Sequence, residues 1–196
     1  MLFYRFSRVI VRSTMTFLFR TEVIQPELVP AEGPVILCSN HRSNFDPPLV
    51  ACYLKRQVKF MAKAELFKIP GFSWLIRTLG AFPVQRGGMS METMKTAIRL
   101  LQEGHVLVVF PEGTRQKTKQ LGEGKKGAAS MALRSGAKIV PVAMIGDYKP
   151  FRRMKIVYGR PIDPAEAVAG LPPAERGEAL TARIMKEIGD LIARHS

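Results

Sequence analysis

Short apolar runs that are typical of buried β-strands alternate with helical patterns along most of this chain. The apolar runs are VLVVF (106–110), PVILCSN (34–40), VKFMA (58–62), AFPV (81–84), KIVPVAMI (138–145) and MKIVYG (154–159). Helical patterns cover 47–54, 70–80, 90–103, 126–135 and 173–194. This alternation predicts an α/β fold, a single domain with a largely parallel central sheet that is flanked by helices.

The composition fits one folded domain with a strong excess of positive charge. The 196 residues are 46% hydrophobic and 23% charged, which excludes a wholly disordered chain. The net charge of +14 favours an anionic partner, which could be nucleic acid, anionic lipid headgroups, phosphorylated metabolites or an acidic carrier protein. The two cysteines form no CxxC pair, so we expect a reduced, intracellular setting.

Residues 1–20 are predicted to form a helical segment that precedes the main domain at 21–196. Arg5, Arg8 and Arg12 recur at i, i+3 and i+7, so they share one basic stripe beside a wider apolar and aromatic face. Such a helix suits the interface of a bilayer, although the same pattern also fits a helix packed on its own domain. The arginines interrupt the apolar run and no small-residue cleavage site follows, so we expect neither a spanning helix nor a cleaved signal peptide.

A histidine and an aspartate follow the predicted strand at 34–40. Neutral histidine is the usual general base for removing a proton from a hydroxyl, and it works best when a carboxylate holds its other ring nitrogen. His41 and Asp46 could meet in this way if the four residues between them form a tight turn. The alternative is that Asp46, which precedes Pro47 and Pro48, only caps the next helix.

Three further groups of residues could bind a phosphate. Glu112, Gly113, Thr114 and Arg115 leave the end of the strand at 106–110, where ligand sites gather in open α/β sheets. Arg86 follows the short strand at 81–84, and Lys125 and Lys126 stand at a helix start. Each group alone also fits a plain polar turn or a solvated surface.

Other catalytic and binding patterns are missing from the sequence. The GxGxxG match at 122–127 has no strand directly before it, so we do not interpret it as a nucleotide site. No GxSxG, HExxH or paired-cysteine pattern occurs, and no metal site is expected. Cys38 lies inside an apolar run and is interpreted as a packing residue.

Four blocks occur in a set order along the chain: NHRSNFD (40–46), GAFPVQR (80–86), FPEGTR (110–115) and IVPVA (139–143). In this combination the chain resembles the glycerophospholipid acyltransferase family, and most of all the short bacterial 1-acyl-sn-glycerol-3-phosphate acyltransferases. NHx4D followed by FPEGTR is a specific pair. With the amphipathic start and YGRPI (158–162), the resemblance extends over nearly the whole chain.

The resemblance implies a role for each matched residue. His41 matches the general base of the family, and Asp46 matches the acid that orients it. The blocks associated with binding of the glycerol phosphate contain Arg86, Glu112, Gly113, Thr114 and Arg115. Either Lys125 or Lys126 matches the basic residue that supports the phosphate.

The implied function is transfer of a fatty acyl group from acyl-CoA or acyl carrier protein to the sn-2 hydroxyl of lysophosphatidic acid, giving phosphatidic acid. No cofactor is implied besides this acyl donor. The implied location is the cytoplasmic face of the cell membrane, as a monotopic or peripheral protein on an anionic surface. Nucleic acid is not expected as a partner, because aromatic and basic residues do not interleave on one face.

Two alternatives to this function are considered. One is a sister enzyme that acylates glycerol 3-phosphate or another lysophospholipid. The other is a lipid-binding protein without activity, which would keep the membrane helix and the phosphate site but would have no use for His41.

Overall fold

The computed structural model describes residues 2–84, 90–116, 118 and 120–196. The helices are α1 (Leu2–Phe19), α2 (Asp46–Cys52), α3 (Phe72–Thr78), α4 (Met91–Gln102), α5 (Gly127–Ser135), α6 (Pro164–Ala167) and α7 (Pro173–His195). The strands are β1 (Glu22–Ile24), β2 (Val35–Ser39), β3 (Val58–Lys63), β4 (Ala81–Val84), β5 (Val106–Val109), β6 (Lys138–Gly146) and β7 (Met154–Tyr158). Short 3₁₀ turns at Pro26–Leu28 and Ala64–Lys68 connect them.

The strands form one sheet in the order β1-β7-β6-β2-β5-β3-β4. Neighbouring strands run parallel except for β6 and β7, which pair antiparallel. The largely parallel sheet confirms the predicted α/β fold. Because β2, β5 and β6 are adjacent and parallel, the loops that leave their carboxyl ends meet at one edge of the sheet.

Alternation along the strands divides the core into two layers. In β2, Val35 and Leu37 pack on one face of the sheet, while Ile36 and Cys38 pack on the other. The first face is covered by α2 and the end of α1, and the second by α4, α5 and α7. A sheet that is buried on both faces explains why its strands read as continuous apolar runs in the sequence.

All of the predicted strands and helices are present, with ends that shift by a few residues. Two elements are not predicted from the sequence. The strand β1 is only three residues long, too short for an alternation pattern, and it forms by pairing with β7 at the edge of the sheet. The single-turn helix α6 is started by Asp163, whose side chain accepts hydrogen bonds from the Ala165 and Glu166 N–H groups.

The first helix, α1, packs one side on the domain and exposes the other. Tyr4 and Phe19 are buried. Of the three arginines in the predicted basic stripe, Arg8 is half-buried, and its guanidinium donates a hydrogen bond to the Leu54 carbonyl just after α2. Arg12 lies over the Tyr53 ring, 5.6 Å from its centroid. No helix in the described part of the chain is long and apolar enough to cross a membrane.

Candidate active site

The loops after β2 and β5 place the predicted site residues at the carboxyl edge of the sheet. Asn40 directly follows β2 and is buried, with its amide paired to the backbone of Met144 in β6. The side-chain nitrogen donates to the Met144 carbonyl at 3.0 Å, and the side-chain oxygen accepts from the Met144 N–H at 2.7 Å. This pair continues the sheet by one residue and fixes the start of the loop that carries His41.

The side chains of His41 and Asp46 meet as expected from the sequence. The distance between His41 Nδ1 and Asp46 Oδ2 is 2.8 Å, and Asp46 is fully buried. The same oxygen accepts the backbone N–H groups of Arg42 at 2.6 Å and Ser43 at 2.8 Å. Asp46 therefore points back into the preceding loop, and the alternative that it only caps α2 is wrong.

Tyr148 is the remaining partner of Asp46. Its hydroxyl donates a hydrogen bond to Asp46 Oδ1 from the loop between β6 and β7. Burial and the neighbouring carboxylate raise the pKa of Tyr148, so the hydroxyl keeps the proton that it donates. Both carboxylate oxygens of Asp46 are thus occupied, and the carboxylate has a single orientation.

The imidazole of His41 is held on its other sides as well. Its ring stacks on Phe110, with centroids 4.0 Å apart, and 18% of its side chain is exposed. The backbone of His41 is held too: its N–H donates to Glu112 Oε1 at 3.1 Å, and its carbonyl accepts from the backbone N–H of Gln116 at 2.8 Å. With Nδ1 facing Asp46, Nε2 is the ring nitrogen left to accept a proton from a substrate.

Glu112 is a buried carboxylate next to this histidine. Only 3% of it is exposed, and its Oε2 forms no regular hydrogen bond with the residues that the structure describes. Burial raises its pKa, while the His41 N–H, the Gln116 side chain and the Gly122 backbone oppose that rise in part. Its Oε1 therefore holds the backbone of the loop that carries His41, and its Oε2 faces the segment that contains Gly122.

The structure separates the two lysines that the sequence left as alternatives. A β-carbon added to Gly113 would lie 3.1 Å from Lys125 Nζ, so the Lys125 side chain passes over the turn that follows Glu112. Gly113 has a φ of +72°, which also favours glycine there. Lys126 points elsewhere, because its ammonium pairs with Glu178 on α7 at 3.2 Å.

The other predicted phosphate ligands lie around the same turn or outside the described residues. Thr114 and Arg115 are exposed, and they stand between Glu112 and Gln116, which both contact the His41 backbone. Arg86 falls outside the described residues, so its predicted role stays a prediction. The catalytic and binding roles of the other residues likewise remain predictions from the sequence.

Sequence reasoning missed three residues of this site. Tyr148 lies in no sequence block, whereas Asn40 belongs to the first block, and the contacts of both residues are with partners about a hundred positions away. Arg42 belongs to the first block, but its guanidinium donates to the Gly146 carbonyl and lies 3.6 Å from Asp147 Oδ1.

The two cysteines are packing residues. Both are buried, and burial raises the pKa of the Cys38 thiol and raises that of Cys52 to about 12. Protonated, buried thiols are poor nucleophiles. Within the described ranges no cluster of His, Cys, Asp and Glu has the arrangement of a metal site.

Comparison with known proteins places this chain in a family. Residues 20–145 match the family model described as Acyltransferase. The 1-acyl-sn-glycerol-3-phosphate acyltransferase of Bacillus subtilis is 30% identical over 194 residues, which cover 96% of each chain. The protein of the same name from Streptococcus pneumoniae is 36% identical over 135 residues, 65% of this chain and 50% of its own.

A solved structure shares the fold. The crystal structure of PlsC, the 1-acyl-sn-glycerophosphate (LPA) acyltransferase from Thermotoga maritima, matches with a TM-score of 0.79 at 23% identity. The match covers 98% of this chain and 80% of that one. The family model spans most of the chain and the Bacillus subtilis relative aligns over nearly all of it, so this chain belongs to the acyltransferase family.

Proposed function

We propose that this acyltransferase transfers a fatty acyl group from a thioester to the sn-2 hydroxyl of lysophosphatidic acid, giving phosphatidic acid. The observation that carries the proposal is the His41–Asp46 pair, at 2.8 Å, beside the Glu112–Arg115 turn. It is supported by the Bacillus subtilis relative, which aligns with this chain over nearly its whole length and is named 1-acyl-sn-glycerol-3-phosphate acyltransferase.

The proposed reaction is a direct transfer. His41 Nε2 takes the proton of the sn-2 hydroxyl as the oxygen attacks the thioester carbonyl. The tetrahedral intermediate then breaks its C–S bond, and the leaving thiolate receives the proton from the imidazolium. Asp46 stabilises the imidazolium while it exists. No acyl-enzyme is formed, in keeping with the buried, protonated state of both cysteines.

The acceptor's phosphate is proposed to bind at the turn after β5. Arg115 and Lys125 would supply the positive charge, with Arg86 as a further ligand and Gly113 allowing close approach of the backbone. Arg115→Ala should raise KM for the phosphate-bearing acceptor by tenfold or more, on the scale of one lost charged hydrogen bond of about 1.5–3 kcal/mol. An effect confined to the acyl donor would contradict this assignment.

The acyl donor is proposed to be acyl-CoA or acyl carrier protein, with no other cofactor. Both donors are anionic and suit a chain with a net charge of +14.

We also propose that α1 holds the protein on the cytoplasmic face of the cell membrane as a monotopic or peripheral protein. Its exposed aromatic side chains and its arginines suit the interface of an anionic bilayer.

A panel of acceptors and donors tests the reaction. Purified protein is mixed with lysophosphatidic acid, glycerol 3-phosphate or lysophosphatidylcholine, each with acyl-CoA and with acyl carrier protein, and free thiol and lipid product are measured together. We expect product from lysophosphatidic acid and none from His41→Ala. Product from glycerol 3-phosphate alone would assign the sister reaction. Binding of lysophosphatidic acid without thiol release would indicate a non-catalytic lipid-binding protein.

A further inference from the structure

One face of α1 exposes large apolar side chains along its whole length. Phe3, Phe6, Ile10 and Phe17 share this face by helical spacing. Phe6 and Phe17 keep 63% and 74% of their surface exposed. Soluble proteins rarely leave such a face uncovered unless it binds something.

Exposed aromatic side chains of two other elements extend this face at its two ends. Trp74 on α3 lies 4.8 Å from Phe3 between ring centroids and is itself 60% exposed. At the other end, Phe151 in the β6–β7 loop packs edge-on against Phe17 at 5.8 Å and is 53% exposed. The Phe151 N–H also donates to the Leu18 carbonyl, which attaches this loop to the helix.

These contacts join three separate elements into one surface. We call it the apolar strip, and it consists of Phe3, Phe6, Ile10, Phe17, Trp74 and Phe151. The 18 residues of α1 alone span about 27 Å at the usual rise per residue. The strip is therefore long, and its outer members come from segments that are far apart in the sequence.

Positive charge borders both ends of the apolar strip. Arg77 follows Trp74 by three residues on α3 and is exposed. Beside Phe151 there is an open depression of about 630 Å³, and its charged lining residues are Arg20, Arg152, Arg153 and Glu22. The helix α1 itself contains no acidic residue. Aromatic side chains bordered by arginine and lysine are typical of surfaces that bind the interface of an anionic bilayer.

We infer that the apolar strip is a single membrane-docking surface, in which α3 and the β6–β7 loop enter the bilayer interface together with α1. This inference rests on the proposed function, because a lipid acceptor requires the active site to face a bilayer. The strip ends beside the site: Phe19 is buried against Tyr148, the tyrosine that holds Asp46. In this arrangement α3 and the β6–β7 loop contact the bilayer interface at the two ends of α1.

Trp74 provides a direct test because it is the only tryptophan of the chain. Its emission is recorded for the whole protein with vesicles of phosphatidylglycerol and phosphatidylcholine, with and without lipids brominated on the acyl chains. We expect a blue shift on binding and quenching by the brominated lipids. Vesicles of phosphatidylcholine alone should give a weaker response, because the bordering cations lack anionic partners.

Substitutions at the two ends test the extent of the surface by co-sedimentation. Trp74→Ser and Phe151→Ser should each lower partition into anionic vesicles by about tenfold, as expected for losing burial of one large apolar side chain. Met91→Ser is the matched control. Met91 is 70% exposed on α4, which covers the opposite face of the sheet, so its substitution should leave partition unchanged.

The outcomes separate this inference from the proposed reaction. Co-sedimentation with unchanged Trp74 emission would show that α1 docks without α3, and the inference would be wrong. Absence of vesicle binding would also overturn it. Acyl transfer is measured alongside, with the wild-type protein and a monodisperse short-chain lysophosphatidic acid. If acyl transfer occurs without quenching of Trp74 emission, the docking surface is wrong and the proposed reaction stands. If Trp74 emission is quenched but no acyl transfer occurs, the docking surface stands and the proposed reaction is wrong.

Discussion

Tyr148 donates its hydroxyl hydrogen bond to Asp46, the carboxylate that faces Nδ1 of His41. The tyrosine ring packs against Phe19 and Phe45, so the contact is supported by the end of α1 and by the start of α2. A residue outside the four sequence blocks thus fixes the orientation of the candidate catalytic carboxylate.

Tyr148→Phe should lower kcat with little change in KM, because Asp46 would keep its backbone hydrogen bonds but lose the constraint on Oδ1. The free energy of unfolding should fall by about 1.5–3 kcal/mol, as for a hydrogen bond to a charged group. Tyr158→Phe is the matched control. It removes a buried hydrogen bond of 2.8 Å to the Val50 carbonyl and should cost about 0.5–1.5 kcal/mol without changing kcat. Equal kcat losses in both variants would mean that Tyr148 is only a core residue.

Asp46→Asn should preserve the tautomer of His41 and remove only the charge. Two backbone N–H groups, of Arg42 and Ser43, point at Oδ2, so an asparagine would place its carbonyl oxygen there. Its NH₂ group would then face the Tyr148 hydroxyl, which can accept. We expect kcat to fall by about 10- to 100-fold, the worth of one hydrogen bond to a charged group.

The position of the His41 proton in Asp46→Asn can be measured by nitrogen NMR of the imidazole together with kcat. A fall of about 10⁴ with the proton on Nε2 would contradict the prediction, since that is the effect expected of a reversed tautomer.

Glu112→Gln should change how stability depends on pH. Burial raises the pKa of Glu112 above its usual value of 4.5, so its contribution to stability is present below pH 4.5 and is lost as pH rises through the folded-state pKa. Glutamine does not titrate. The free energy of unfolding of the variant relative to the wild type should therefore increase from pH 4.5 to neutral pH, as measured by urea denaturation. A constant difference would show that the pKa of Glu112 is not raised.

Lys125→Ala should raise KM for the acceptor by about tenfold, because its ammonium lies over Gly113 at the proposed phosphate turn. Lys126→Ala is the comparison variant from the neighbouring position. Its pair with Glu178 is exposed, so its loss should change stability by no more than about 1 kcal/mol and leave KM unchanged. The reverse result in steady-state kinetics would assign Lys126 to the site.

Much of the fold follows from local patterns in the chain. Strands such as β5 and β6 are buried on both faces and read as continuous apolar runs, and α4 begins at the side-chain cap of Ser90. These signals need only neighbouring residues. The strand β1 lacks such a signal, since its three residues become a strand only by pairing with β7.

The candidate site divides in the same way. His41, Asp46 and Glu112 lie in sequence blocks that identify them, and a five-residue separation is short enough for one loop to join the first two. The Asn40 amide pair with Met144 and the Tyr148 hydroxyl bond to Asp46 each span about a hundred residues. The choice between Lys125 and Lys126 depended on where α7 places Glu178. The sequence alone indicated which residues could take part in acyl transfer, because residue type sets what a side chain can do chemically and the four blocks resemble those of a known family. The tertiary structure decided how the carboxylate is held and which lysine lies at the turn, because these depend on strand order and packing between distant segments.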